Sequence, residues 1–256
     1  MERVTSTRNP RVRALSSLNR SRERRVRGQH LVEGPRAVEE ALDAGVVLEI
    51  FVTEEALAQL PETDGVTVTE VTEPVLSKLS GTTSPQGIVA LARTPVFALE
   101  TVLAGGFTVV LDGVADPGNA GTILRTADAA GATGAVFVAG ADPYGTKAVR
   151  AAAGSTYHLP VAVEDGPEVV AATCRAAGHR LVGLDAAGDA ALESLAERSD
   201  PIAVVLGNEA HGLSATTVAL LDQTVAVPIH GRAESLNVAA AAAVALYTVA
   251  RGRSRT

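Results

Sequence analysis

The stretch Thr108-Val-Val-Leu-Asp-Gly-Val-Ala-Asp-Pro-Gly-Asn-Ala-Gly-Thr-Ile-Leu-Arg-Thr-Ala-Asp-Ala-Ala130 shows most clearly how this chain alternates between strand and helix. The apolar run 108–111 is typical of a buried strand, and the Gly- and Pro-containing residues 113–119 are typical of a loop. The small and apolar residues from 121 to 130 favour a helix. Because the same alternation continues on both sides, we predict an α/β protein with helices covering a parallel sheet.

The alternation restarts once, which predicts two α/β domains. We expect a basic extension at 1–27, a smaller α/β domain at 28–93, a linker at 94–106 and a larger α/β domain at 107–256. In the smaller domain we predict strands at 30–33, 46–52, 66–71 and 88–91 and helices at 35–44, 54–60 and 73–79. In the larger one we predict further strands at 135–139, 157–161, 180–184, 202–206 and 224–227 and further helices at 147–153, 167–177, 214–221 and 235–251.

Charge is distributed unevenly along the 256 residues. The net charge is −7, yet residues 1–30 hold nine Arg and two Glu, a local charge of +7, and the last six residues hold three Arg. Residues 31–250 therefore carry −17. Twenty of the 22 basic residues are Arg, whose guanidinium suits phosphate. The basic ends are either solvated or in contact with a nucleic-acid backbone, which would make binding depend on salt.

Composition excludes several classes of protein. One Cys rules out a disulfide framework, and the five His have no spacing typical of metal ligands, so we predict no metal site. Neither a Gly-x-Gly-x-x-Gly nor a Walker A sequence occurs. No run approaches the roughly 18 apolar residues of a membrane span, and we expect a cytoplasmic protein without a membrane partner.

Three polar, glycine-containing loops follow predicted strands of the larger domain. Ligands of open α/β sheets bind at the carboxyl ends of strands, so these loops are the candidate site. They are Asp116-Pro-Gly-Asn-Ala-Gly-Thr-Ile-Leu-Arg125, Leu206-Gly-Asn-Glu-Ala-His-Gly-Leu213 and Val227-Pro-Ile-His-Gly-Arg-Ala-Glu-Ser-Leu-Asn-Val238.

Each loop also has an ordinary structural explanation. Asn119 and Ser235 are suited to cap the helices that follow them, and Asn237 would lie in the first turn of the last helix. Arg125 is suited to an exposed helix position or to a salt bridge. Glu209 is suited to act as a capping acid in an ordinary strand-to-helix turn. The residues by themselves leave both readings open.

Taken together and in this order, the loops resemble the three motifs of the SpoU (TrmH) family of RNA 2′-O-ribose methyltransferases. The matching residues are Asn119-x-Gly-x-x-x-Arg125, Leu206-Gly-Asn-Glu209-x-x-Gly-Leu213, and Pro228 with Ser235-Leu-Asn-Val238. The N-terminal third is similar to the family's substrate-binding domain at Thr5-Ser-Thr-Arg-Asn-Pro10, Val32-Glu-Gly34 and Pro85-Gln-Gly87.

This resemblance implies a SPOUT fold with a deep trefoil knot for the C-terminal domain, preceded by a smaller α/β substrate-binding domain. It also implies a homodimer through the C-terminal domain, with catalytic residues contributed across the interface. The implied cofactor is S-adenosylmethionine, bound by Leu184, Gly207, Val227 and Leu236. The implied catalytic residues are Arg125, Asn119, Glu209, Ser235 and Asn237.

The resemblance gives Arg125 the role of activating the ribose hydroxyl. Since a guanidinium is a poor base, we expect Arg125 instead to grip the phosphate beside the ribose and to stabilise a partly formed alkoxide. The expected substrate is structured RNA, with ribosomal RNA of the large subunit favoured. Transfer RNA, and a non-catalytic RNA-binding protein of the same fold, are the alternatives; a small-molecule or protein methyltransferase fits the Arg-rich ends less well.

Overall fold

Strands and helices alternate along the chain in the computed structural model, which describes residues 2–63, 65–197 and 200–253. The strands are β1 (Glu2–Val4), β2 (Gln29–Glu33), β3 (Val47–Val52), β4 (Thr67–Val71), β5 (Ile88–Arg93), β6 (Phe107–Asp112), β7 (Gly134–Val138), β8 (Val161–Glu164), β9 (Arg180–Leu184), β10 (Ala190–Ala191), β11 (Ile202–Leu206) and β12 (Gln223–Ala226). The α-helices are α1 (Pro10–Ser16), α2 (Ser21–Arg27), α3 (Pro35–Asp43), α4 (Glu73–Ser80), α5 (Leu99–Val102), α6 (Pro117–Ala129), α7 (Thr146–Ala152), α8 (Ser155–His158), α9 (Pro167–Ala176), α10 (Ala215–Leu220) and α11 (Val238–Arg253). Short 3-10 helices occupy Ser17–Asn19, Glu54–Gln59 and Leu192–Glu197.

The chain forms two compact units. The first contains the residues up to Pro95 together with Asp142–His158, and the second contains Val96–Ala141 and the residues from Leu159 onward. The units differ from the predicted domain boundaries in two places. Residues 2–27, predicted as an extension, contribute β1, α1 and α2 to the first unit, and residues 142–158, assigned by sequence to the larger domain, contribute α7 and α8 to it.

Packing explains both differences. Val12, Leu15 and Leu18 are buried in the core of the first unit, so the basic N-terminal segment also carries an apolar face. Val149 on α7 is fully buried in the cluster on the other side of the same sheet, together with Val38 of α3. The apolar positions Val12, Leu15 and Leu18 recur only every third residue among polar and charged ones, so the Arg-rich composition of the segment concealed them.

The sheet of the first unit is mixed. Its order is β1-β4-β3-β5-β2, in which β5 runs antiparallel to both of its neighbours and the other pairs are parallel. Helices cover both faces: α1 and α4 pack on one cluster and α3 on the other.

The sheet of the second unit is parallel throughout, in the order β10-β12-β9-β11-β6-β7-β8. Its central strands β6, β7 and β11 are buried almost completely, as expected for strands covered on both faces. α6 packs against α11 on one side, and α9 packs against α10. The predicted parallel sheet flanked by helices is confirmed for this unit.

Four predicted element bounds are wrong. The predicted strand 157–161 is the short helix α8 followed by β8, which begins at Val161. The predicted helix at 54–60 is a 3-10 helix over Glu54–Gln59. α6 begins at Pro117 rather than 121, and α11 begins at Val238 rather than 235.

Membrane-spanning helices and metal-binding clusters are both absent from the described residues. No helix there is long and apolar enough to cross a membrane. Within the same residues, no group of three or more His, Cys, Asp or Glu side chains is arranged to hold a metal ion.

Candidate functional site

The three glycine-containing loops lie at one edge of the parallel sheet. They follow β6, β11 and β12, and the first two of these strands are direct neighbours in the sheet. Because all of these strands run in the same direction, their carboxyl ends lie together. Residues separated by about a hundred positions in the chain therefore come into contact.

Glu209 joins the second loop to the first. One carboxylate oxygen accepts a hydrogen bond from the backbone N–H of Ala115 at 2.9 Å. The other accepts from the backbone N–H of Asp116 at 3.0 Å and from Nδ2 of Asn119 at 3.0 Å. Hydrogen bonds to a carboxylate are stronger than neutral ones, so this side chain holds the start of α6 in place.

Hydrogen bonding also determines the charge of Glu209. Partial burial acts to raise its pKa, while hydrogen bonds from Asn119 and from the backbone N–H groups of Ala115, Glu209 and Asp116 lower it. The net effect is a pKa below the ordinary 4.5, so Glu209 is ionised at neutral pH.

Asn119 and Asn237 connect the first loop to the third. The Asn119 side chain donates to Glu209, and its Oδ1 accepts from Nδ2 of Asn237 at 3.2 Å. Oδ1 of Asn237 in turn accepts from the backbone N–H groups of Ala239 at 2.9 Å and Ala240 at 3.4 Å. One chain of polar contacts thus links all three loops.

Two predicted helix caps are wrong. Asp116 rather than Asn119 caps α6, since Oδ1 of Asp116 accepts from the backbone N–H of Asn119 at 2.9 Å. Asn237 rather than Ser235 satisfies the first N–H groups of α11. In both cases the chain offers two suitable capping residues within three positions, and the structure uses the other one.

The second loop turns back sharply on itself. Asn208 and Gly212 exchange two backbone hydrogen bonds, of 2.9 and 2.8 Å, and a Cβ at position 207 would lie 2.4 Å from the backbone of Gly212. Only glycine fits at this close approach. Nδ2 of Asn208 donates to the carbonyl of Gly113 at 2.8 Å, which ties this turn to the first loop.

A cavity of about 220 Å³ opens beside the three loops. Its lining includes all four predicted cofactor contacts together with Glu209 and Ser235; these four are Leu184, Gly207, Val227 and Leu236. Asp185 and Asn208 also line it and were missed by the sequence analysis. Asn208 lies between two residues that were singled out, and Asp185 directly follows Leu184, so adjacency to the motifs was the available signal.

Arg125 lies apart from this cavity within a single chain. It is exposed on α6 and forms no hydrogen bond or ion pair with any residue that the structure describes. Thr122 and Ala129, at helical spacing on either side, are exposed as well. The structure therefore brings Asn119, Glu209 and Asn237 into contact and sets Ser235 on the cavity wall, but leaves Arg125 on an open helix face.

The fold and the site define a two-unit α/β protein whose ligand cavity lies at the carboxyl edge of a parallel sheet. Residues 106–247 match the model of the SpoU rRNA Methylase family, and residues 9–90 match the MRM3-like substrate binding domain. The chain belongs to the SpoU rRNA Methylase family, which confirms the resemblance seen in its motifs.

Named relatives agree with this family over nearly the whole chain. The 23S rRNA (guanosine(2553)-2′-O)-methyltransferase RlmP of Bacillus subtilis (strain 168) is 35% identical over 249 residues, covering 96% of this chain and 98% of the relative. The crystal structure of an rRNA methyltransferase from Sinorhizobium meliloti with bound AdoMet is 33% identical, with a TM-score of 0.84 and coverage of 97% of each chain. That of the SpoU methyltransferase AviRb from Streptomyces viridochromogenes, also with AdoMet, is 31% identical with a TM-score of 0.84, covering 96% of this chain and 99% of that one.

Proposed function

We propose that this protein methylates the 2′-hydroxyl of a ribose in ribosomal RNA, with RNA of the large subunit as substrate and S-adenosylmethionine as methyl donor. The observation that carries the proposal is the convergence of Asn119, Glu209 and Asn237, one from each family motif, beside a single cavity. The 23S rRNA specificity in the name of the Bacillus relative supports the substrate class.

The cavity suits the nucleoside part of S-adenosylmethionine. Leu184, Val227 and Leu236 supply apolar walls against which a flat base can pack. The backbone N–H groups of residues 229–236 donate to no acceptor within the described residues, so they remain available to a ligand's polar edge. When bound, the cofactor supplies an electrophilic methyl group.

The reaction then requires positioning and charge stabilisation by the protein. Arg125 would grip the phosphate beside the target ribose and stabilise negative charge that develops on its 2′-oxygen. Glu209 and Asn119 would hold the first loop rigid, and Asn237 would fix the third loop; Ser235 would orient the ribose or cofactor from the cavity wall.

The proposal includes a homodimer through the second unit. An exposed stripe on α11 supports it: Val244 is 42% and Tyr247 is 51% exposed, and Leu236 in the preceding loop is 41% exposed. Arg125 would then act in the partner's site, consistent with its position outside the cavity of its own chain. Light scattering should give twice the monomer mass for the wild type and the monomer mass for Tyr247→Glu; a monomeric wild type would contradict the dimer.

Family membership further supports a trefoil knot in the second unit and a cytoplasmic protein that meets its RNA there. The knot proposal can be tested by tracing the chain in an electron-density map. Fractionation of the native host would test the location, and recovery of the protein outside the cytoplasm would contradict it.

The function itself is tested with methyl-labelled S-adenosylmethionine and unmodified ribosomal and transfer RNAs. We expect label in alkali-resistant dinucleotides of large-subunit RNA, because a 2′-O-methyl group blocks cleavage at that linkage. Label confined to mononucleotides would exclude ribose as the acceptor, and label only in transfer RNA would exclude the substrate class. RNA binding without transfer would favour the non-catalytic alternative.

Arg125→Ala tests the catalytic assignment directly. We expect at least about a hundredfold loss of transfer, because the positive charge at the reacting oxygen is removed. Arg175→Ala, which removes an exposed Arg from α9 together with its hydrogen bond to the carbonyl of Leu220, serves as the control for loss of an arginine away from the cavity. Transfer by Arg125→Ala at the wild-type rate would contradict the role of Arg125.

A further inference from the structure

Two N-terminal motifs that the cavity does not use meet at one end of the mixed sheet. Val32-Glu33-Gly34 ends β2, and Pro85-Gln86-Gly87 leads into β5, which is paired with β2. The Glu33 side chain is 1% exposed, and its Oε1 accepts from the backbone N–H of Gln86 at 2.9 Å. A buried carboxylate therefore holds the second motif against the first.

The same carboxylate holds an arginine. Oε2 of Glu33 accepts from Nη1 of Arg150 on α7 at 2.9 Å, and the Arg150 side chain is 44% exposed. The backbone N–H of Gln86 and the guanidinium of Arg150 bind the two oxygens of one carboxylate, so these two groups are neighbours. One edge of the guanidinium is fixed by Glu33, and its other N–H donors remain open to solvent.

The side-chain amide of Gln86 lies over Gly34, next to the carboxylate that binds Arg150 through its other oxygen. A Cβ at position 34 would be 2.5 Å from Oε1 of Gln86, and Gly34 has φ +100°. Glycine at this position therefore makes room for the amide. Gln86 is exposed, and its side chain forms no hydrogen bond within the part of the chain that the structure describes.

The loop that presents Gln86 is shaped by its own hydroxyl groups. Oγ of Ser80 accepts from the backbone N–H of Thr82 at 3.2 Å, and Oγ1 of Thr82 accepts from that of Ser84 at 3.3 Å. Pro85 then restricts the backbone just before Gln86. Such a loop loses little entropy when it binds a ligand.

We propose that Arg150 and Gln86 form a binding site for one unpaired nucleotide of the RNA substrate. Arg150 contacts its phosphate, and the Gln86 amide, a donor beside an acceptor, pairs with the edge of its base. Glu33 is a positioning residue that fixes both. The inference rests on RNA being the substrate, and it adds a recognition site in the first unit to the proposed catalytic site in the second.

A purely structural explanation makes a different prediction. If Arg150 served only to neutralise buried Glu33, Gln86 would be irrelevant to RNA. Gln86→Ala is therefore the decisive variant, since it removes an exposed side chain and keeps the backbone N–H that binds Glu33. The double variant Glu33→Gln with Arg150→Gln removes both charges together, so that no buried carboxylate is left without a partner.

The experiment measures binding of unmodified large-subunit ribosomal RNA at several salt concentrations, the KM for RNA and kcat, and the Kd for S-adenosylmethionine. For Gln86→Ala we expect about tenfold weaker RNA binding and a tenfold higher KM, with unchanged salt slope, kcat and cofactor Kd. For the double variant the salt slope should fall by about one, because one phosphate contact is lost.

Matched controls lie at the opposite end of the same two strands. Gln29→Ala and Arg93→Ala change two paired residues at the start of β2 and the end of β5, four strand positions from Glu33, or about 13 Å at 3.3 Å per residue. Both should bind RNA like the wild type.

The outcomes separate this inference from the proposed function. If the wild type methylates RNA while Gln86→Ala and the double variant bind it normally, the nucleotide site is overturned and the function stands. If Gln86→Ala weakens RNA binding but the wild type transfers no methyl group, the site stands and the function is overturned. If Gln29→Ala lost as much RNA affinity as Gln86→Ala, the nucleotide site would also be overturned.

Discussion

At the scale of single residues, Glu209 connects more of the candidate site than any other side chain described above. Its carboxylate accepts from two backbone N–H groups of the first loop and from Asn119, which in turn contacts Asn237. It also lines the cavity. A change at this position should therefore disturb loop geometry rather than a single contact.

We predict that Glu209→Gln lowers kcat/KM for methyl transfer about a hundredfold, because one oxygen that accepts hydrogen bonds becomes an NH₂ group facing donors. Glu193→Gln, at an exposed position of a 3-10 helix in the same unit, is the matched control and should be unaffected. Initial rates measured at saturating S-adenosylmethionine test this, and a loss below threefold would contradict it.

The ionisation of Glu209 makes the hydrogen bonds that hold the first loop dependent on pH. Its pKa in the folded protein lies below the ordinary 4.5, so its stabilising contacts are present above pH 4.5 and are lost as pH falls through the lowered value. The loop structure should thus persist throughout the neutral range.

His30 in the first unit gives a second pH prediction. Its ring is completely buried, with Nε2 2.9 Å from the Tyr157 hydroxyl and Nδ1 3.1 Å from Oγ1 of Thr94. Its pKa is lowered from 6.5 to about 4, chiefly because burial disfavours the charged imidazolium. The Asp142 carboxylate acts to raise this pKa, and Arg24 acts to lower it further. Tyr144, whose ring is tilted by 54° against the imidazole with the ring centroids 5.1 Å apart, is also buried.

Because unfolded His30 takes up a proton near pH 6.5 and folded His30 does not, stability should fall as pH decreases from 6.5 to 4, by about 3 kcal/mol. His30→Gln should show a correspondingly smaller decrease. Urea unfolding followed by tyrosine fluorescence measures this, and equal pH slopes for the two proteins would refute the prediction.

At the scale of secondary structure elements, the bounds of helices depend on which polar residue captures the first N–H groups. The sequence suggested Asn119 and Ser235 as caps of α6 and α11, beside the functional roles that the same residues suit. In the structure Asp116 and Asn237 take these places. Local capping propensity does not distinguish Asp116 from Asn119 as the cap of α6. The choice depends on Glu209, a residue 90 positions away from Asn119, because Glu209 binds the Asn119 side chain.

The cap of α6 can be tested by substitution. Asp116→Ala should lower the free energy of unfolding by about 1 kcal/mol, because the N–H of Asn119 loses its acceptor. Asp116→Asn keeps an oxygen acceptor and should lose less than half as much. Chemical denaturation followed by circular dichroism provides the measurement, and equal losses in both variants would argue against the cap.

At the scale of the whole molecule, the positive N-terminal segment is part of a folded unit. Removing residues 1–27 would also remove the buried Val12, Leu15 and Leu18, so a deletion would test folding rather than RNA binding. Charge substitutions on its exposed side chains are the better test. Arg13, Arg22 and Arg25 are exposed and form no ion pair within the described residues.

We predict that the triple variant Arg13→Gln, Arg22→Gln and Arg25→Gln binds RNA more weakly and reduces the slope of log affinity against log salt by about two to three. Arg3→Gln, which removes an arginine paired with Glu70 at 3.0 Å, should change the slope little. Filter binding over a range of salt concentrations tests the difference. An unchanged slope in the triple variant would show that these arginines do not contact phosphates.

Much of the second unit was predictable from sequence, because strand and helix periodicities are local and the central strands are uniformly apolar. The parallel sheet and the three loops at its carboxyl edge follow from those patterns, whereas the candidate residues within the loops follow from the resemblance to the family's motifs. The motif order also led to the family. The bounds of β8 and of the segment after β7 were not predictable, since Ser155–His158 has mixed propensity and packs by tertiary contact.

The sequence by itself determined the alternation of strands and helices, the polar loops and the uneven charge, because each depends on residues close together in the chain. Tertiary structure decided that Glu209 binds Asn119, that Glu33 holds Arg150 beside Gln86, and that residues 142–158 belong to the first unit. These contacts join residues that lie about 90 to 117 positions apart. Burial and the direction of the strands determine which residues pair in these contacts, and no local sequence pattern predicts either.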